Sequence, residues 1–242
     1  MVGDDLLALL GDRIPRDHAR QTLADDLAAT WYRRAADARG GGLRVVDLGC
    51  GAGGSVDAFR GIDAQVDWLG VDIEDSPEVR ERRRADAAFA TFDGLALPVP
   101  DASVDLIFCK QVLEHVHEPA PLLADAARAL RPGGVLVGST SQLEPFHSLS
   151  TFGYTAHGLT LLTERAGLQV AELRPGIDGL TLTVRRGLGA PAFFNRFWVH
   201  PSPLNRLIDG VARARRADPA WANAAKLIFC GQFAFAAVKP EA

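Results

Sequence analysis

The chain has 242 residues, a formal net charge of -4 and 23% charged residues, which exclude a disordered tail and a general binder of polyanions. Cys50, Cys109 and Cys230 are too few and too dispersed for a disulfide framework, and they favour a reducing compartment. The acidic start and the absence of an apolar run of about 20 residues predict a cytoplasmic protein without stable membrane association.

Short apolar runs alternate with helical patterns through the first 175 residues, which is typical of a parallel sheet with crossover helices. We predict an N-terminal helical cap over residues 1–40, with its helix at 17–38, and a cofactor-binding core over residues 41–175. The strands predicted in the core are 43–48, 66–73, 87–92, 104–109, 135–140 and 168–174. The predicted helices open near Gly53 and cover 77–84, 119–130 and 156–166.

The alternation breaks after residue 175. Residues 176–226 mix aromatic residues, prolines and arginines and are predicted to form a helical insertion, which acts as a lid, a packing element or a partner interface. Residues 227–242 are predicted to hold the last core strand, beginning at Leu227. The predicted fold is therefore a doubly wound α/β fold with a seven-stranded, mostly parallel sheet, antiparallel only in its last strand.

The segment 45–54, VVDLGCGAGG, predicts a buried strand that runs through a glycine-rich turn into a helix. Such a turn lets backbone approach a ligand closely and presents N–H groups at a helix N-terminus. The glycines satisfy both the dinucleotide fingerprint G-x-G-x-x-G and the pattern G-x-G-x-G. Asp72, at the end of the next strand, suits ribose hydroxyls in either case, so a nicotinamide-dependent oxidoreductase stays open on these residues alone.

Three further features favour one reading. Asp47 precedes the glycines, Asp93 ends the third strand, and KQVLEHV at 110–116 is followed by LRPGG at 130–134. With these motifs the chain resembles the class I S-adenosylmethionine-dependent methyltransferases, in their small-molecule branch, over roughly residues 40–175. The resemblance implies S-adenosylmethionine as cofactor, S-adenosylhomocysteine as product, and cofactor contacts from the following positions: Asp47, Gly49, Cys50, Gly51, Gly53, Asp72, Ile73, Asp93, Gly94, Leu95, Lys110 and Gln111.

The acceptor is expected to be a small molecule of the sugar or natural-product type, methylated on a hydroxyl oxygen. A hydroxyl acceptor must lose its proton, and His147 in the loop after the fifth strand is the candidate general base, with His157 as a weaker candidate. Alternatives are methylation of RNA or protein, or a non-catalytic cofactor-binding partner subunit. No metal and no nucleic acid are expected, a homodimer is left open, and the arginine run at 80–84 is interpreted as a solvated helix face.

Overall fold

The computed structural model describes residues 3–241, and within them seven strands form a single sheet. The strands are β1 Arg44–Leu48, β2 Asp67–Asp72, β3 Ala88–Thr91, β4 Val104–Lys110, β5 Leu130–Ser141, β6 Gln169–Pro175 and β7 Gln232–Val238. The helices are α1 Asp4–Leu10, α2 Ala24–Arg39, α3 Ser55–Ile62, α4 Pro77–Arg80, α5 Pro119–Ala129, α6 Ala156–Arg165, α7 Gly179–Gly187, α8 Arg196–Val199, α9 Pro203–Arg215 and α10 Pro219–Phe229. Short 3₁₀ turns lie at Gly11–Arg13, Leu113–His115 and Ala192–Asn195.

The strand order across the sheet is β3-β2-β1-β4-β5-β7-β6. All neighbours are parallel except that β7 runs antiparallel to both β5 and β6. The order reverses between β1 and β4, and ligands of open α/β sheets bind at such a switch point, beyond the carboxyl ends of the strands. The predicted seven-stranded, mostly parallel sheet with an antiparallel last strand is confirmed.

Helices cover both faces of the sheet because the parallel strands alternate buried side chains to either side. Val45 and Leu106 pack into the layer that contains α2 and α3. Val46 and Ile107 pack on the opposite side, against α1, α5, α6 and α10. Neither helical layer covers the edge of the sheet formed by the carboxyl ends of β1 to β5. Loops lie at this edge, and they carry the candidate site residues.

Several predicted boundaries are wrong: α4 ends at Arg80 instead of 84, and β5 begins at Leu130 instead of 135. Two further boundaries differ for a clear physical reason. The helix expected at 17–38 begins only at Ala24, because Asp17 instead binds Arg174 of β6 with oxygen–nitrogen distances of 2.9 Å. The strand expected from Leu227 begins at Gln232, because residues 227–229 form the last turn of α10. Leu227 is buried in the core, and an apolar run of this kind fits a buried helix as well as a strand.

The segment 176–226 contains α7, α8, α9 and most of α10. Phe194 and Phe197 are buried against Ile177 and Leu182 in a small apolar cluster of their own. This cluster places the segment over the carboxyl ends of β5 and β6 and the amino end of β7, next to the candidate site. Its role as an insertion or lid stays a prediction.

Candidate functional site

The glycine-rich turn after β1 has the backbone conformation that its sequence predicts. Gly49, Gly51 and Gly53 have φ angles of 72°, 52° and 81°, a region that other residues rarely adopt. A Cβ atom on Gly49 would lie 2.3 Å from Cγ2 of Val112, so no side chain fits there. The backbone N–H of Gly51 donates to Oδ2 of Asp72 at 2.7 Å and draws the turn toward the end of β2.

The acids at the ends of β2 and β3 lie where the sequence places them. Asp72 Oδ1 also accepts from the N–H of Ile73 at 2.8 Å, which fixes the orientation of the carboxylate. Asp93 accepts from the N–H groups of Ala96 and Leu95 at 2.8 and 2.9 Å, and these bonds lower the pKa of its carboxyl. Gly94 has a φ of 88° in the same turn. The side chains of Ile73 and Leu95 are exposed at this edge.

Asp47 is a buried carboxyl beneath the glycine turn. Its Oδ2 accepts from Oγ of Ser55 at 2.5 Å, and Ser55 accepts from the indole of Trp68 at 3.0 Å. Burial, with a smaller contribution from the nearby Asp72, raises the pKa of Asp47 to about 7 despite the hydrogen bond from Ser55. Burial also raises the pKa of the Cys50 thiol to about 12, so Cys50 is not a reactive thiolate at neutral pH.

The arginines after α4 do not form a solvated helix face, because α4 ends at Arg80. Arg82 donates to the carbonyl of Gly51 through Nε at 2.9 Å and Nη2 at 2.7 Å, and its guanidinium stacks on Phe89 at 4.0 Å. Arg84 donates to the carbonyl of Gly53 at 3.0 Å. Both arginines therefore brace the glycine turn. The spacing of residues in the sequence does not predict these contacts, because they depend on how the chain folds back toward the glycine turn before β3.

The end of β4 carries two further predicted site residues. Lys110 Nζ lies 2.6 Å from Asp25 at the start of α2, so this lysine is ion-paired. Gln111 has a φ of 55°, and strained backbone of this kind occurs preferentially at functional sites. Its N–H donates to the carbonyl of Ser139 at 2.9 Å and its Nε2 donates to the Ser139 hydroxyl at 3.1 Å.

A pocket of about 350 Å³ opens beside Gln111, at the carboxyl edge of β4 and β5. Its lining residues come from distant parts of the chain: Thr22, Leu23, Ala24, Asp25, Lys110, Gln111, Ser139, Gly176, Ile177, Trp198, Gln232 and Phe233. The sequence analysis did not predict most of these residues as site residues, because the pocket forms only when residues 22–25 and residues 232–233 come together in the fold. Trp198 comes from the aromatic segment that was predicted to act either as a lid or as packing.

A buried polar network lies behind the pocket. The fully buried Glu114 accepts from the hydroxyls of Thr140 and Ser141 at 3.0 and 3.1 Å, and burial raises the pKa of its carboxyl. The Ser141 hydroxyl also lies 2.7 Å from Oε2 of Glu144, so its single proton is shared between the two carboxyl groups. Gln232, which lines the pocket, donates to the same carboxylate oxygen of Glu144 at 2.6 Å. Glu144 therefore connects the network to the pocket wall.

The two candidate bases lie at different distances from this network. His147 is half-buried, with Nδ1 3.9 Å from Oε1 of Glu144 and its ring centroid 5.3 Å from that of His115. It is not among the described residues that line the pocket, but the neighbouring Glu144 accepts a hydrogen bond from the pocket residue Gln232. His157 lies in the first turn of α6, and within residues 3–241 its buried Nδ1 has no hydrogen-bond partner.

Glu114, His115 and His147 each place one ligand atom within 4.8 Å of the others, close enough to share a cation. The Nδ1 of His115 is buried without a hydrogen-bond partner among the described residues, and burial together with His147 lowers the pKa of this ring. Both oxygens of Glu114, however, already accept hydroxyl donors. The expectation of no metal stays a prediction.

The sheet order, the glycine turn and the acids at or just after the ends of β1, β2 and β3 define a Rossmann-like α/β domain of the methyltransferase type. Residues 46–138 match the family model described as a methyltransferase domain. This match supports the resemblance of the chain to the class I S-adenosylmethionine-dependent methyltransferases. Among residues 3–241, no helix has both the length and the apolar content to cross a bilayer.

Several known proteins are similar to this chain. A probable S-adenosylmethionine-dependent methyltransferase of Mycolicibacterium smegmatis is 35% identical over 153 residues, which cover 58% of this chain and 57% of the relative. A demethylmenaquinone methyltransferase of Renibacterium salmoninarum is 34% identical over 138 residues, covering 55% and 57%. The crystal structure of a putative sarcosine dimethylglycine methyltransferase from Galdieria sulphuraria shares the fold, with a TM-score of 0.57, 16% identity and coverage of 98% and 99%. The two sequence alignments, with the Mycolicibacterium and Renibacterium proteins, span little more than half the length of these curated relatives.

Proposed function

We propose that this protein transfers the methyl group of S-adenosylmethionine to a hydroxyl oxygen of a compact, largely apolar small molecule. One observation carries the proposal: the 350 Å³ pocket adjoins Gln111 after β4, and the next residue, Val112, packs against Gly49 of the glycine turn. A cofactor over the turn and an acceptor in the pocket would meet at the end of β4. This volume lies at the lower end of the range for small-ligand sites.

The residues around the turn fit the cofactor chemically. The ribose hydroxyls are donors for the Asp72 carboxylate, and the exposed Ile73 and Leu95 supply apolar surface for a flat adenine. Asp47 provides negative charge beneath the end that carries the ammonium and sulfonium cations. The bound cofactor supplies a methyl group on a positively charged sulfur, which is a good leaving group.

The pocket lining supports an acceptor with an apolar body and one polar end. Leu23, Ile177, Trp198 and Phe233 form apolar walls, and Ser139 and Gln232 present hydrogen-bonding groups. A hydroxylated ring of quinol size would place its body on these walls and its oxygen toward Ser139. The similarity to a protein named for demethylmenaquinone is consistent with this class of acceptor.

The protein contributes position and proton removal. The walls and the strained Gln111 hold acceptor and cofactor so that the oxygen, the methyl carbon and the sulfur lie in line. His147 is the proposed proton acceptor, with Glu144 3.9 Å away as the carboxylate that stabilises the protonated ring. The acceptor hydroxyl would donate its proton directly to this ring, which requires the substrate oxygen to come within hydrogen-bond distance of it. Asp25 also lines the pocket, but Lys110 already balances its charge.

The decisive experiment separates this function from its alternatives. Calorimetry should show binding of S-adenosylhomocysteine and no binding of NAD, whereas the reverse would indicate an oxidoreductase. Incubation with methyl-labelled cofactor and a panel of phenols and quinols should then label a small product. Label that appears only in added RNA or protein would contradict the proposed acceptor. Binding without transfer to any compound would favour a partner-subunit role.

A further inference from the structure

An exposed apolar surface surrounds the loop after β5 and the outer face of α7. Leu180, Val184 and Leu188 recur every four residues and therefore form one stripe, with exposed fractions of 61%, 44% and 60%. The inner face of the same helix packs Leu182 against Ile177. The stripe is thus additional apolar surface that faces solvent.

Contacts join this stripe to neighbouring exposed side chains. A Cβ atom on Gly179 would lie 2.7 Å from Cβ of Leu143, so the exposed Leu143 touches the start of α7. Arg186 donates to the carbonyl of Phe146 at 3.1 Å, and Phe146 is 66% exposed. We call the following six residues the apolar rim: Leu143, Phe146, Leu180, Val184, Leu188 and Phe193.

Phe193 lies in the 3₁₀ turn Ala192–Asn195, which contacts α7 and so adjoins the rest of the rim. Arg185 of α7 donates to Asn195 at 3.3 Å, and the exposed Phe193 stacks on the buried Phe194 with centroids 4.3 Å apart. Contiguous exposed apolar surface of this kind marks an interaction site more often than an accident of packing.

The exposed charges of the segment that carries most of the rim are basic, and Glu144, between Leu143 and Phe146, has a side chain that is only 12% exposed. Residues 179–208 contain four arginines, at 185, 186, 196 and 206, and no aspartate or glutamate, although the whole chain has a net charge of -4. Arginine forms charge-assisted hydrogen bonds with phosphate. A basic border around apolar side chains is the arrangement that favours the interface of an anionic bilayer.

We propose that the apolar rim docks reversibly on anionic phospholipid, with its apolar side chains in the interface and Arg185, Arg186 and Arg196 on the headgroup phosphates. The rim flanks the pocket, since α7 begins two residues after Ile177, which lines it. Docking would present the pocket to compounds dissolved in the membrane. The proposal goes beyond methyl transfer and does not depend on it.

The test is co-sedimentation of the full chain with phosphatidylcholine vesicles, with and without phosphatidylglycerol. The wild type should bind the mixed vesicles, less at high salt, and should bind pure phosphatidylcholine weakly. The double variant Arg186→Gln/Leu188→Gln should weaken binding about tenfold, since it removes one charge and one inserted side chain. A matched control, Leu9→Gln/Arg13→Gln, changes the same residue types on α1 and the following turn and should bind like the wild type.

Thermal melting and S-adenosylhomocysteine binding establish that both double variants fold. Equal vesicle binding by wild type and rim variant would overturn the proposal, as would absence of binding to anionic vesicles. Light scattering distinguishes a second occupant. Self-association that the rim variant abolishes, without vesicle binding, would assign the rim to a second copy of the chain and contradict lipid docking.

Discussion

The side-chain amide of Gln21 donates to the carbonyl of Phe197 at 2.6 Å, joining the segment before α2 to the aromatic segment 176 residues later. The same Nε2 lies 3.1 Å from the carbonyl of Trp198, and Oε1 accepts from Asn205 at 2.9 Å. Because Trp198 lines the pocket, this amide holds one wall of the proposed acceptor site in place.

Replacing Gln21 should therefore affect the acceptor and not the cofactor. Gln21→Leu removes two donated bonds of about 1 kcal/mol each, and we expect the acceptor KM to rise about tenfold. The affinity for S-adenosylhomocysteine should not change, as measured by calorimetry. Gln65→Leu, an exposed site between α3 and β2, is the control. An unchanged KM would mean that this amide does not shape the pocket.

Asp72 is expected to bind the ribose. Asp72→Asn keeps the shape of the side chain but removes the negative charge that strengthens its hydrogen bonds with the ribose hydroxyls. S-adenosylhomocysteine binding should therefore weaken by about tenfold or more. Asp67→Asn, at the opposite end of the same strand, serves as the matched control, and circular dichroism should show both variants folded. Equal affinity in the two variants would remove Asp72 from the cofactor site.

Asp47 should make the stability of the ligand-free protein depend on pH. Its folded pKa of about 7 lies above the ordinary value of 3.8, so the folded state retains a proton that the unfolded chain loses. The free energy of unfolding should therefore fall as pH rises from about 4 to 7, by at most about 1.4 kcal/mol per unit from this group. Asp47→Asn should abolish that contribution in denaturant titrations, whereas Asp37→Asn, on the surface of α2, should retain it. Parallel curves for wild type and Asp47→Asn would contradict the raised pKa.

His147 is expected to accept the proton of the hydroxyl. His147→Ala should lower kcat by about 10²- to 10⁴-fold at unchanged cofactor affinity, the range for loss of a general base. His157→Ala, on α6, should retain wild-type turnover. Comparison with Asp25→Asn settles the remaining choice, since loss of turnover there, with an active His147→Ala, would transfer the role to the carboxylate inside the pocket.

Chelation tests the cluster of Glu114, His115 and His147. Because hydroxyl donors already occupy both oxygens of Glu114, we expect dialysis against EDTA to leave kcat unchanged. Activity that EDTA abolishes and Mn²⁺ or Zn²⁺ restores would instead identify these three side chains as a metal site.

The features that sequence reasoning predicted correctly depend on neighbours in the chain. The β-branched run at Val45 and Val46 marks a buried strand, and the glycines after it permit the positive φ angles of the turn. Asp72 follows from its place at the end of the next strand. Each of these features depends on residues that are close in sequence, so it can be predicted without knowledge of the tertiary fold.

The remainder depends on tertiary contacts. The Lys110–Asp25 pair and the Gln21–Phe197 bond join residues far apart in sequence, and no spacing rule predicts them. Arg82 was predicted to lie on a solvated helix face, but in the folded chain it donates to the carbonyl of Gly51 in the glycine turn. The start of β7 was misplaced because a fully apolar run has no period by which helix and strand differ.

Synthesis separates the two halves of the proposed site in time. The glycine turn and the acids at the ends of β1, β2 and β3 are synthesised before the pocket wall formed by Gln232 and Phe233. A nascent chain therefore lacks part of the proposed acceptor pocket until β7 pairs with β5. The proposed cofactor side of the site is synthesised before the side that would enclose the acceptor.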